Sequence, residues 1–124
     1  MLKQYFAIGN GNHPTQIKMS DILWVERNLR KIRVVTAGKV YEFYEKMKNV
    51  RPQLDQRFYP CLQGCYINLD QVKTMQGQGI IFDEENIYYL GRANFIKAKN
   101  AFKKYLKKDL NLDKNTCNQD DNSV

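Results

Sequence analysis

Histidine occurs once in this 124-residue chain, and cysteine and proline three times each. The single histidine, His13, sits in the run Gly9-Asn10-Gly11-Asn12-His13-Pro14, whose residue types favour a turn, and it reads as an exposed turn residue. A chain with so little imidazole has few groups able to shuttle protons near neutral pH. There is no P-loop, GxGxxG or GxSxG, and Asn10-Gly11-Asn12 is a turn signal without the features of a phosphate cradle. The adjacent acids Glu84 and Glu85 fall in a polar turn and need not converge on one substrate. An enzyme is therefore the least supported class, and no small-molecule substrate is expected.

Cysteine is equally scarce. Cys61, Cys65 and Cys117 are odd in number and too few for a disulfide framework. The C-x₃-C spacing, taken with His13 and Cys117, fits a four-ligand zinc site poorly, so neither metal nor cofactor is expected. A reversible Cys61–Cys65 disulfide remains a minor alternative. No apolar run approaches the ~20 residues that span a bilayer, and residues 1–5 lack the basic and apolar segments of a signal peptide. The expected address is the cytoplasm.

What the chain has is aromatic side chains and positive charge. Its 43% hydrophobic and 12% aromatic residues can offset the conformational entropy of one domain and exclude disorder throughout. The net charge is +7, with a pI near 9.3. Residues 109–124 carry a net −3, which leaves +10 on residues 1–108. Two basic clusters stand out, each without an acid: 27–39, with Arg27, Arg30, Lys31, Arg33 and Lys39, and 97–108, with Lys97, Lys99, Lys103, Lys104, Lys107 and Lys108. Such an excess favours a polyanionic partner.

Residue pattern places short strands at Asp21–Glu26, Ile32–Thr36 and Lys39–Phe43, with a turn at Ala37-Gly38. Met47, Val50 and Leu54 recur at helical spacing, so a short helix is expected from near Tyr44 until Pro52 distorts it. Cys61–Cys65 reads as a loop. Further strand pieces follow at Tyr66–Asn68, Val72–Met75, Ile80–Phe82 and Ile87–Leu90, with a strong turn signal at Gln76-Gly77-Gln78-Gly79. From Asn94, a plausible N-cap, Phe95, Ala98, Phe102, Tyr105 and Leu106 follow a 3–4 spacing with lysines opposite. The expected fold class is mainly β: several short antiparallel strands in small sheets, one short internal helix and a C-terminal amphipathic helix. Residues 1–16 are expected to form an N-terminal extension or first strand, 17–108 the domain, and 109–124 a flexible polar tail.

The segments Asp21-Ile22-Leu23-Trp24-Val25-Glu26, Arg33-Val34-Val35-Thr36 with Gly38, Arg57-Phe58-Tyr59-Pro60-Cys61 and Tyr66-Ile67-Asn68-Leu69-Asp70 stand in the order and spacing of a known family. Together with Leu90-Gly91-Arg92 ahead of a Lys-rich helix, they make the chain resemble the LytTR-type DNA-binding domain of bacterial transcriptional regulators over residues 17–106. The resemblance implies three small antiparallel sheets that bind double-stranded DNA through inter-strand loops. Two loops and the segment before the last helix would enter successive major grooves from one face, often at paired sites occupied by a homodimer. By position, the first loop is Asn28-Leu29-Arg30-Lys31, the second Cys61-Leu62-Gln63-Gly64, and the third contact Arg92.

The resemblance thus assigns base contact to Arg30, Lys31, Gln63 and Arg92, and the charge pattern assigns phosphate contact to Arg27, Arg33, Lys97, Lys99 and Lys103. The second loop departs from the family, which usually has Arg-x-His-x-Ser where this chain has Pro60, Leu62 and Gly64. Only Gln63 there keeps a bidentate hydrogen-bonding edge. A receiver domain commonly precedes this module, and none is expected ahead of residue 17. Two alternatives stay open: a degenerate domain that binds another regulator or a membrane-protein inhibitor, and an RNA binder that stacks bases on Tyr88 and Tyr89.

Overall fold

The computed structural model describes residues 3–9 and 11–114, with side chains described as far as 108. Within them, short strands build three antiparallel sheets. β1 (Tyr5–Ile8) and β2 (Thr15–Lys18) form a hairpin. β3 (Ile22–Asn28), β4 (Lys31–Thr36), β5 (Val40–Tyr44), β6 (Phe58–Leu62) and β7 (Cys65–Asn68) form a central sheet in the order β5-β4-β3-β7-β6. β8 (Thr74–Gln76), β9 (Gly79–Ile81) and β10 (Ile87–Tyr89) form the third sheet around β9. The helices are α1 (Met47–Val50) and α2 (Arg92–Lys114). The mainly β class read from the sequence is the one observed.

Both faces of the central sheet are buried, which is why its strands read as apolar runs more than as alternation. One face packs with β1, β2 and α1 around Phe6, Ile17, Met19, Ile22, Val25, Ile32, Val34, Met47 and Val50. The other packs with the third sheet and α2 around Leu23, Cys61, Cys65, Ile67, Ile80, Phe82, Leu90, Phe95 and Ala98. An irregularity between Ile22 and Trp24 in the β3–β4 register turns Leu23 and Trp24 to one core and Ile22 and Val25 to the other. A bulge does this by inserting one residue against the partner strand.

Four local expectations are corrected. Cys61–Cys65 is the end of one strand and the start of the next, with only Gln63-Gly64 between them. Pro60 is tolerated because β6 is an edge strand, and the register shifts between Pro60 and Leu62, where Cys61 is the extra residue. Tyr44 stays in β5, paired with Lys31, so the internal helix is a single turn from Met47 that Arg51–Gln53 continue as a 3-10 turn around Pro52. Gly91 caps α2 in place of Asn94, because its carbonyl accepts the Phe95 N–H at 2.8 Å. Tyr88 packs 5.2 Å from Trp24 against the core, so of the tyrosine pair only Tyr89 is exposed.

β1 and β2 are built into the fold, since Phe6 is fully buried and the Gln53 side chain clamps Ala7 through its N–H at 2.8 Å and carbonyl at 2.9 Å. At the other end α2 continues to Lys114, past the expected domain limit at 108. Of the expected tail, residues 115–124 lie outside the described residues. The fully buried Asn68 donates to the carbonyls of Met19 and Ile22 and accepts the Asp70 N–H, tying the end of β7 to the start of β3.

Candidate functional site

The register of the central sheet brings two hairpin tips together. β3 and β4 pair as far as Asn28 and Lys31, which leaves Leu29 and Arg30 as a two-residue turn. β6 and β7 pair as far as Leu62 and Cys65, leaving Gln63 and Gly64. β3 and β7 are neighbours, and one step beyond the Glu26–Cys65 pair the Arg27 N–H donates to the Gly64 carbonyl at 2.8 Å. Both tips therefore project from the same end of one sheet, their centres two strand spacings or about 10 Å apart. Arg30 and Gln63 are exposed. The Lys31 ammonium lies 5.0 Å from the Tyr44 ring centroid, a cation–π contact that limits its rotamers.

Each tip holds one residue in left-handed backbone. At Gly64 φ is +81°, and a Cβ built there would stand 3.5–3.6 Å from Cβ, Nε and Cζ of Arg27. The Arg27 side chain thus lies across the second tip, joining a basic residue of one hairpin to the turn of the other. Gly64→Ala is expected to cost about 1–2 kcal/mol of stability, since a Cβ is disfavoured in that conformation. Urea unfolding measures it, and an unchanged midpoint would contradict it. At the first tip Leu29 has φ +60° and is 89% exposed. Bulky residues seldom adopt this conformation, and strain of this kind concentrates at functional positions.

The third contact depends on the direction of α2. Its apolar stripe of Phe95, Ala98, Phe102 and Tyr105 packs on the second core, and the Tyr105 hydroxyl donates to Asp70, just beyond β7 and away from the tips. α2 packs against β6, and about 20 Å of helix at 1.5 Å per residue separates Arg92 from the Tyr105–Asp70 contact. Arg92 is exposed and begins a helix whose first turn holds no acid. A cation at a helix N-terminus opposes the macrodipole at about 0.3–1 kcal/mol, so helix stability does not explain the residue. Lys97, Lys99 and Lys103 are all exposed. At 3.6 residues per turn, Lys99 and Lys103 share a flank with Arg92, whereas Lys97 falls on the opposite flank.

Arg33 is placed differently from its expected phosphate role. It sits mid-sheet between Glu26 and Glu42, its guanidinium 3.3 and 3.4 Å from their carboxylates, so its charge is already balanced. Three cations absent from the expected set, Lys46, Lys48 and Arg51, line a cleft with Arg27 and Arg30. They stand in a short acid-free run, residues 46–54, that Glu45 and Asp55 bound closely, so it is less conspicuous than the two longer basic stretches. Leu29 belongs to the first loop but not to the expected contact set, because an aliphatic side chain offers neither charge nor hydrogen bond.

Cys61 and Cys65 are free and buried, with the Cys61 thiol 3.7 Å from the Cys65 carbonyl. Hydrogen bonding to Cys61 and burial push the Cys65 thiol above its ordinary range, which favours an inert thiol over a reactive thiolate. His13 is exposed in a bend. Among the described residues no three His, Cys, Asp or Glu side chains converge on a metal-sized site; Cys117 lies outside them. No helix among them is long and apolar enough to cross a membrane.

The fold is similar to a solved LytTr DNA-binding domain of a putative methyl-accepting/DNA response regulator from Bacillus cereus. The TM-score is 0.56 at 12% identity, covering 87% of this chain and 97% of that one. No curated protein matches the sequence. The family model of the LytTr DNA-binding domain matches residues 13–110, a span that includes both hairpin tips, Arg92 and the lysines of α2. Matched over most of its length, the chain belongs to the LytTR family of DNA-binding domains.

Proposed function

We propose that this chain is a transcriptional regulator that reads specific double-stranded DNA sites in the major groove through its two hairpin tips and the N-terminus of α2. The observation that carries this reading is the Arg27–Gly64 backbone hydrogen bond, which sets the tips side by side at one end of the sheet. Their separation of about 10 Å fits within one major groove about 12 Å wide. The two tips would then share a groove, in place of the successive grooves that the resemblance implies for them. Arg30 and Arg92 present guanidinium forks suited to guanine O6 and N7, Gln63 an amide suited to adenine N6 and N7, and Lys31 an ammonium donor. Leu29, turned outward between them, is suited to a thymine methyl. Arg27, Lys97, Lys99 and Lys103 supply phosphate contacts that position the domain and carry no sequence information.

The second tip lacks the Arg, His and Ser side chains usual in the family, so Gln63 is its sole side chain with a bidentate hydrogen-bonding edge. Most discrimination then falls to the first tip and to Arg92. Two copies on paired half-sites would multiply it. Arg92→Ala is expected to weaken binding to a selected duplex by about 1–3 kcal/mol, with no loss of thermal stability because a cation leaves the positive end of a helix. Gel-shift titration beside thermal unfolding separates the two effects. Unchanged affinity for the selected duplex would remove Arg92 from the reading set.

A further inference from the structure

We infer that the DNA-contacting surface continues past the hairpin tips into the open cleft between the β3–β4 hairpin and α1, where it holds the sugar-phosphate backbone that borders the groove. The inference rests on the DNA-reading function proposed above and extends it to residues outside the three expected contacts. The cleft has a volume of about 980 Å³, and Arg27, Arg30, Lys46, Lys48 and Arg51 line it, with Glu45 as the acid among its lining residues. Glu45 accepts hydrogen bonds from the Lys46 N–H at 3.0 Å and the Asn49 amide at 2.6 Å. Among the described residues none of the five cations forms a salt bridge.

The local sequence explains how the cations come to share this surface. Alternation along β3 puts Arg27 on the same face as Val25, the face that α1 covers. α1 turns Met47 and Val50 into that core, which leaves Lys46, Lys48 and Arg51 exposed. Gathering five like charges around the single carboxylate of Glu45 works against folding, and a local rule broken in this way marks a surface shaped by a ligand.

The ligand favoured is the backbone of the same duplex. Arg27 and Arg30 belong to the cleft and to the reading hairpin alike, so a strand leaving the groove at the first tip passes directly over it. From Lys46 to Arg51 is about 7 Å of helical rise, against one phosphate per ~3.4 Å of axis on each strand. The stretch therefore matches about two phosphates.

The test is salt-dependent binding of the full chain to a selected duplex, comparing wild type with Lys46→Gln/Lys48→Gln/Arg51→Gln. Each phosphate contact contributes about 0.9 to the slope of log affinity against log salt, so the triple variant should lose about 2 units of slope. It should also lose hydroxyl-radical protection at one edge of the site and keep the same ranking of sequences. Lys104→Gln/Lys107→Gln/Lys108→Gln removes equal charge from α2 and should change the slope much less. Equal slope changes in both variants, or an unchanged slope and footprint in the first, would overturn the inference while leaving the tips as readers. Failure of the wild type to bind any duplex would overturn both.

Discussion

Raising the salt from 50 to 200 mM should weaken binding of this chain to duplex DNA by about a thousandfold. Six phosphate contacts give a slope near −5 in log affinity against log salt, and a fourfold rise in salt then removes about three decades. Arg27, Lys97, Lys99 and Lys103 are exposed and account for four, and the cleft beside the first tip, with Lys46, Lys48 and Arg51, adds about two phosphates. Arg33 is left out because Glu26 and Glu42 already hold it. Anisotropy titrations of one labelled duplex over a salt series measure the slope directly. A slope near zero would mean that the +10 carried by residues 1–108 serves some purpose other than phosphate contact.

Asp55→Ala should cost about 3–5 kcal/mol of stability, because it strands a buried charge. Arg57 is 7% exposed. Its Nε donates to Asp55 Oδ1 at 3.0 Å, and its Nη2 donates to Oδ2 at 2.8 Å and to the Lys3 carbonyl at 2.6 Å. The pair joins the chain entering β1 to the chain entering β6. Removal of the carboxylate leaves the guanidinium desolvated with one acceptor, a loss that is large beside a typical total of about 5–15 kcal/mol.

The same pair sets a pH dependence. Burial raises the pKa of the Asp55 carboxyl, but hydrogen bonds and charge from Arg57 outweigh it and hold the group below its ordinary value. A depressed carboxyl stabilises the fold above its unfolded pKa of about 4 and loses that contribution as the pH falls through the folded value. Urea unfolding at neutral and at acid pH should therefore show a larger stability loss in the wild type than in Asp55→Ala, which keeps only the contribution of other depressed carboxyls such as Asp83. A neutral-pH cost under about 1 kcal/mol, or equal acid sensitivity in both proteins, would contradict this role.

The mainly β class, the Ala37-Gly38 turn and the terminal helix were legible in the sequence because each depends on local period or turn chemistry. Cys61–Cys65 was not, since a proline and two small buried residues resemble a loop until the edge position of β6 and its bulge are known. Arg33 looked like a phosphate ligand because its two acids are remote in sequence and become neighbours only through strand register. Lys46, Lys48 and Arg51 escaped notice for the converse reason: nearby acids dilute them along the chain, while the fold turns them outward beside a basic hairpin. The positive φ of Leu29 has no sequence signal, because nothing about a leucine announces left-handed backbone.

Selection of bound duplexes from a random library, run with wild type and with Arg30→Ala, Gln63→Ala and Arg92→Ala, tests the interface most directly. The wild type should enrich one motif, and each variant should lose preference at its own positions while keeping the others. No enriched motif with the wild type, or the complete wild-type motif returned by all three variants, would contradict sequence reading by the hairpin tips and the N-terminus of α2.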